Sequence, residues 1–87
     1  MKYYKYKWNE PRGDQFDNWG FSVWYVEIRE DGYPNRQIVI YDNGNILKYS
    51  ENKLEDEYGG LGDQKIDLSE FDGVECSITE FENNWDL

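Results

Sequence analysis

Apolar and polar residues along this chain alternate with the two-residue period of β-strands, interrupted by polar breaks. Residues 2–8, K-Y-Y-K-Y-K-W, place Tyr4, Tyr6 and Trp8 on one side of an extended segment and Lys5 and Lys7 on the other. Residues 21–29, F-S-V-W-Y-V-E-I-R, set Trp24, Val26 and Ile28 on one face. Phe21, Val23 and Tyr25 occupy the other, which then turns polar at Glu27 and Arg29. A strand apolar on both faces belongs in the middle of a sheet or under a cover. From Arg36 to Tyr49, two runs rich in Ile, Val, Leu and Tyr flank Asp42-Asn43-Gly44-Asn45. Asn-Gly in that setting predicts a β-hairpin with a type I′ turn. Ile38 and Ile40 then share one face and Val39 and Tyr41 the other, while the returning strand opposes Leu47 and Tyr49 to Ile46 and Lys48.

The breaks order these strands into a meander. Glu10-Pro11-Arg12-Gly13-Asp14 is a loop and Glu30-Asp31-Gly32-Tyr33-Pro34-Asn35 a turn. Residues 51–64 form a long acidic, Gly-rich loop, of the kind that is often functional or mobile. Residues 66–71 fit either a short strand or one helical turn, and Val74 to Ile78 fits a short strand. Near the end, Thr79-x-x-Glu82 and Ser77-x-x-Glu80 are two competing capping boxes. Ile78, Phe81 and Trp85 then line one face of a short helix that would cover the sheet. The expected architecture is a single α+β domain over residues 1–87, a four- to five-stranded antiparallel β-meander with a short C-terminal helix on one face.

Composition sharpens this picture. A chain of 87 residues buries only about 60–65% of the surface its unfolded state exposes, so it needs large side chains to make a core. Four Trp, eight Tyr and four Phe supply them, and aromatic residues favour strands. The net charge of −10 is unevenly placed. Residues 1–50 carry seven acids and seven bases, whereas residues 51–87 carry twelve acids against Lys53 and Lys65. Such asymmetry steers a protein toward a basic partner and away from phosphates, although it serves equally as a solubility surface. Direct nucleic-acid binding is not expected. Met1-Lys2-Tyr3-Tyr4-Lys5 has no apolar signal core and no run reaches membrane-spanning length, so the expected setting is soluble and cytoplasmic.

Chemistry narrows the choice further. Histidine is absent, which removes His-based nucleophilic triads, most zinc sites and the usual acid–base residue near neutral pH. Cys76 stands among apolar neighbours beside Glu75, with nothing basic adjoining it, and reads as a buried structural thiol. The many carboxylates single out no catalytic pair. Asp42-Asn43-Gly44-Asn45 lacks the terminal Glu of a calcium loop, and a hairpin turn accounts for it. Gly59-Gly60-Leu61-Gly62 lacks a phosphate-loop lysine, and its glycines fit a bend needing positive φ. Arg12-Gly13-Asp14 is treated as chance. The expectation is a non-catalytic protein with no cofactor and no metal site, acting by surface recognition. Trp19, Trp24, Tyr33 and Tyr58 are candidate aromatic anchors, with Trp24 favoured as core and Trp19 and Tyr58 leaning to the surface.

Several pieces together resemble a family of small bacterial proteins catalogued as domain of unknown function 6881. Tyr3-Tyr4-Lys5-Tyr6-Lys7-Trp8 resembles its opening strand, and Trp24-Tyr25-Val26-Glu27-Ile28 its second. Arg36-x-Ile38-x-Ile40-Tyr41-x-Asn43-Gly44 resembles its Arg-led strand and turn, with Asn43 in place of Asp. Gly59-Gly60-Leu61-Gly62 and Ile78-Thr79-Glu80-Phe81-Glu82-x-x-Trp85 resemble its glycine loop, here shortened, and its closing helix. The loop 10–20, with Phe16 and Trp19, departs from the pattern. The resemblance carries no catalytic residues. In size and acidity such proteins are similar to immunity proteins that accompany bacterial toxins.

The resulting expectation is an immunity protein that neutralises a cognate toxin, with a basic nuclease as the toxin class. Glu55, Asp56, Glu57, Tyr58 and Asp63, together with Trp19, are the expected contact residues. An acidic DNA mimic that inhibits a nucleic-acid-binding protein is the alternative, and a small ligand-binding domain a further one.

Overall fold

A computed structural model describes residues 1–67, 69–71 and 73–87. Strands β1 (Lys2–Trp8), β2 (Ser22–Ile28), β3 (Pro34–Tyr41) and β4 (Ile46–Ser50) form an antiparallel meander. A two-residue strand β5 (Glu55–Asp56) pairs only with β6 (Gly59–Gly60). Strand β7 (Val74–Glu75) joins the main sheet on the outer side of β1, giving the order β4-β3-β2-β1-β7. Helix α1 (Ile78–Trp85) follows. The protein is thus α+β, with β2 in the centre as its two apolar faces require. Among the described residues of 66–71 there is no strand or helix, only a turn closed by the Glu70 N–H on the Asp67 carbonyl, and Leu68 lies outside them.

The β2–β3 and β3–β4 hairpins use the same three-residue loop. The Arg29 and Tyr41 N–H groups bond the carbonyls of Tyr33 and Asn45, and the N–H groups of Gly32 and Gly44 return to the carbonyls of Arg29 and Tyr41. This is a type I turn followed by one left-handed residue, with φ of 90° at Gly32 and 92° at Gly44. The expected type I′ turn is corrected accordingly: Asn43 keeps a negative φ, and only the glycine takes the left-handed position.

Strand registers stack side chains into rows. On one face run Trp8–Ser22–Tyr41, then Tyr6–Trp24–Val39–Leu47, then Tyr4–Val26–Gln37–Tyr49. Segment 9–21, with its 3-10 turn Asp17–Trp19, and the 51–66 segment cover these rows, packing Trp19, Tyr58 and Leu61 on the core of Val39, Tyr41, Leu47 and Tyr49. On the other face, Tyr3, Tyr25, Val23, Ile38 and Ile40 receive α1. Phe81 is fully buried there, which is worth about 1.5–3 kcal/mol. Of the two capping registers the helix uses Ser77, whose hydroxyl accepts from the Glu80 N–H at 3.1 Å. Ile78, expected beside Phe81 and Trp85 on the apolar face, is instead 59% exposed because it sits in the first turn, before the helix settles on the sheet.

Helix and sheet are fastened by a charged cluster. A β-bulge at Asn35 lets Glu27 face Arg36 while Ile28 already faces Pro34. Asn35 Nδ2 (2.7 Å) and Arg36 Nε and Nη2 (both 2.8 Å) therefore donate to the Glu27 carboxylate. The guanidinium also bonds Glu82 of α1 and lies 4.8 Å from the Phe81 ring centroid and 5.0 Å from that of Trp85. The Arg36 bonds hold Glu27 well below the ordinary carboxyl value, at about 2, against the opposing effect of burial. Cys76 is half-buried beside this core, and burial raises its thiol pKa, away from reactivity.

Candidate partner-binding surface

The long polar segment after β4 is folded down rather than left loose. Asp56 is its anchor: its carboxylate accepts from the Tyr49 hydroxyl and the Tyr58 N–H, each at 2.8 Å, and from the Gly59 N–H at 3.2 Å. Burial opposes its ionisation, but these bonds and Lys53 at 3.5 Å prevail and keep its pKa low. The Leu61 N–H closes the small hairpin on the Leu54 carbonyl. Gly60 is required by close approach, since a Cβ there would lie 2.9 Å from that carbonyl oxygen. None of Gly59, Gly60 and Gly62 has positive φ, so the expected reason for the glycines is corrected, and at Gly60 the reason is space.

Folding down separates the expected contact residues. Asp56 is spent on holding the segment together. Tyr58 and Trp19, expected at the surface, are half-buried. Their rings lie 5.1 Å apart, Phe16 is within 5.2 Å of both, and Trp19 meets Tyr41 edge-on at 5.1 Å. The reason is Arg12. Its guanidinium donates to the Tyr41 hydroxyl (3.0 Å) and the Tyr58 carbonyl and pairs with Asp14 (3.1 Å), drawing both loops onto the sheet. It also lies 5.2–5.7 Å from the centroids of Phe16, Trp19 and Tyr41. Arg12 is thus an internal fastener. Glu57 remains exposed beside the Tyr58 hydroxyl, whose pKa it raises.

Glu55 and Asp63 are brought together. With Glu51 they line an open groove of about 530 Å³ between the 51–63 segment and the β2–β3 turn. Its apolar wall includes Leu54, 61% exposed, and Tyr33, 38% exposed, with Pro34 and Leu61 beneath. Among the described residues Arg29 is the only base in this lining, and it pairs with Asp31 at 3.3 Å. Three carboxylates around exposed Leu and Tyr side chains can receive a basic segment with its own apolar residue. Tyr33 was legible as a candidate anchor, whereas Glu51 and Leu54 were missed. The available signal was Leu54 itself, a lone large aliphatic residue within E-N-K-L-E-D-E.

Among the described residues no helix is long and apolar enough to cross a membrane. Compared with protein-family models, curated proteins and solved structures, the chain matches none.

Proposed function

We propose that this chain is a non-catalytic inhibitory binding protein, acting in the cytoplasm as an immunity protein that neutralises a cognate bacterial toxin with a basic surface, such as a nuclease. The observation that carries the reading is the groove, where Glu51, Glu55 and Asp63 ring exposed Leu54 and Tyr33. Charge speeds encounter with a basic partner, and the two apolar side chains supply the buried contacts that slow its release. The sequence resemblance to small acidic bacterial proteins supports the same reading, as does the concentration of negative charge after residue 50. No residue cluster on the groove combines a nucleophile with a base, so binding alone is the proposed activity.

The test is capture from the native host with a tagged protein. A stoichiometric basic partner released by high salt is expected. Reversing Glu51, Glu55 and Asp63 to Lys should slow association by about 10-fold or more and flatten its salt dependence. Unchanged association kinetics in a folded triple variant would remove the groove from the interface.

A further inference from the structure

The covered face of the sheet leaves a gap beside Ser22. In the row Trp8–Ser22–Tyr41 the middle position is a serine between two large aromatics, and the next row places Trp24 beside it. The Ser22 hydroxyl accepts from the Trp24 indole N–H at 2.9 Å, which holds that ring as a wall rather than letting it fill the gap. The loops bridge the gap without closing it, leaving a cavity of about 260 Å³. It shares no lining residue with the acidic groove.

Three features define what fits. The volume falls below the roughly 300–1,000 Å³ of sites for drug-sized ligands and suits one side chain with its stem. The walls include the indoles of Trp8, 48% exposed, and Trp24, whose ring faces attract cations. Of the charged side chains lining it, Arg12 and Asp14 satisfy each other, whereas Glu10 makes no hydrogen bond or ion pair among the described residues. The cavity therefore presents one uncompensated carboxylate beside aromatic rings. The chain sets a guanidinium against rings and a carboxylate twice, at Arg12 on the wall of this cavity, among Phe16, Trp19 and Tyr41, and at Arg36 between Phe81 and Trp85.

We infer that the cavity over Ser22 is a receptor for one cationic side chain, arginine or lysine, presented by a protein partner. This deepens the preceding proposal and rests on it for the source of the cation, a basic toxin surface. Cation–π attraction from Trp8 and Trp24 and the Glu10 carboxylate would hold the charge, while the stem lies against the rings.

The test separates this site from the groove by using a small probe. The capped tripeptide acetyl-Gly-Arg-Gly-amide is titrated into labelled protein, following the indole N–H resonances of Trp8 and Trp24. The same peptide with citrulline, which is neutral and of equal shape, is the control. Saturable shifts at both indoles are expected, with the citrulline peptide about 10-fold weaker or more. Trp8→Ala, at an exposed strand end, should abolish the shifts, and Glu10→Gln, in a solvent-facing loop, should weaken binding about 3-fold or more. Equal affinity for citrulline, or shifts that persist in folded Trp8→Ala, would overturn the inference, as would absence of any indole shift. Lys substitutions at Glu51, Glu55 and Asp63 should leave the peptide shifts unchanged even where they abolish partner capture, so failure of the groove and failure of the cavity are told apart.

Discussion

Each face of the sheet is held to its cover by one arginine set against aromatic rings, and the two arginines work differently. Arg36 spans two carboxylates from different elements, Glu27 on β2 and Glu82 on α1, and the Glu27 side chain is only 4% exposed. Arg12 has one carboxylate partner, Asp14, two residues away and 45% exposed. Its long-range bonds go to neutral groups, the Tyr41 hydroxyl and the Tyr58 carbonyl. The helix side is therefore a charge network built around one buried carboxylate, which losing Arg36 would strand. The loop side is a hydrogen-bonded staple whose partners can turn to water. Regular structure allows the first arrangement, because a helix and two strands bring distant charges to fixed positions. Irregular loops favour the second.

The largest expected effect follows from that difference. Arg36→Ala leaves Glu27 buried without its counter-charge, and breaking such a pair costs about 3–5 kcal/mol. Urea denaturation followed by circular dichroism should show a loss of this size. Arg12→Ala should cost less, about 1–3 kcal/mol, and leave the helix in place. If the two losses are equal, Asp14 and the ring contacts matter as much as the buried pair, and the contrast between the faces disappears.

Acid should weaken the helix side through Glu27. Glu27 is held at about 2 in the folded protein by the Arg36 bonds, against an ordinary value of 4.5. A depressed carboxyl stabilises the fold fully above its ordinary value, and that stability is lost as pH falls from about 4.5 toward 2. The difference corresponds to about 3 kcal/mol, an upper figure because other groups relax as the pair breaks. Asp14 and Asp56 are also lowered and add to acid sensitivity, so the informative comparison is with Glu27→Gln. Stability of that variant should start lower and fall less steeply over the same window. Parallel pH profiles for the two proteins would mean that Glu27 is not the carboxylate that matters.

These contrasts explain what could be read from the chain and what could not. Strands β1 to β4 were legible because apolar residues alternate there and glycine closes each turn. The two-residue strands β5 and β6 were not, since Glu-Asp and Gly-Gly carry no strand preference and form only because Asp56 gathers its bonds. Glu27 sits where its strand face turns polar and reads as solvent-exposed; nothing local announces Arg36 as its partner. The pairing depends on the register of β2 with β3 and on the bulge at Asn35, both products of the folded sheet. The site was divided in the same way. Glu55, Asp63 and Tyr33 were visible as exposed acids and an aromatic near a turn, while Asp56, Tyr58 and Trp19 looked the same in sequence and proved internal. Arg12 decides their fate, and its bonds to Tyr41 and Tyr58 span 29 and 46 residues.

The smallest effect concerns the helix end and asks what holds α1 down. Ser77 caps it through one bond to the Glu80 N–H, and removing such a cap costs about 1 kcal/mol. Ser77→Ala should therefore lower stability by about that amount and fray only the first turn, where Ile78 is already exposed. Because Arg36 grips Glu82 and the rings of Phe81 and Trp85 further along, the pH window set by Glu27 should be unchanged. A Ser77→Ala loss as large as that of Arg36→Ala would reverse the order of causes. The helix would then need its cap to form before the arginine could engage it, and the charge network would follow helix formation rather than secure it.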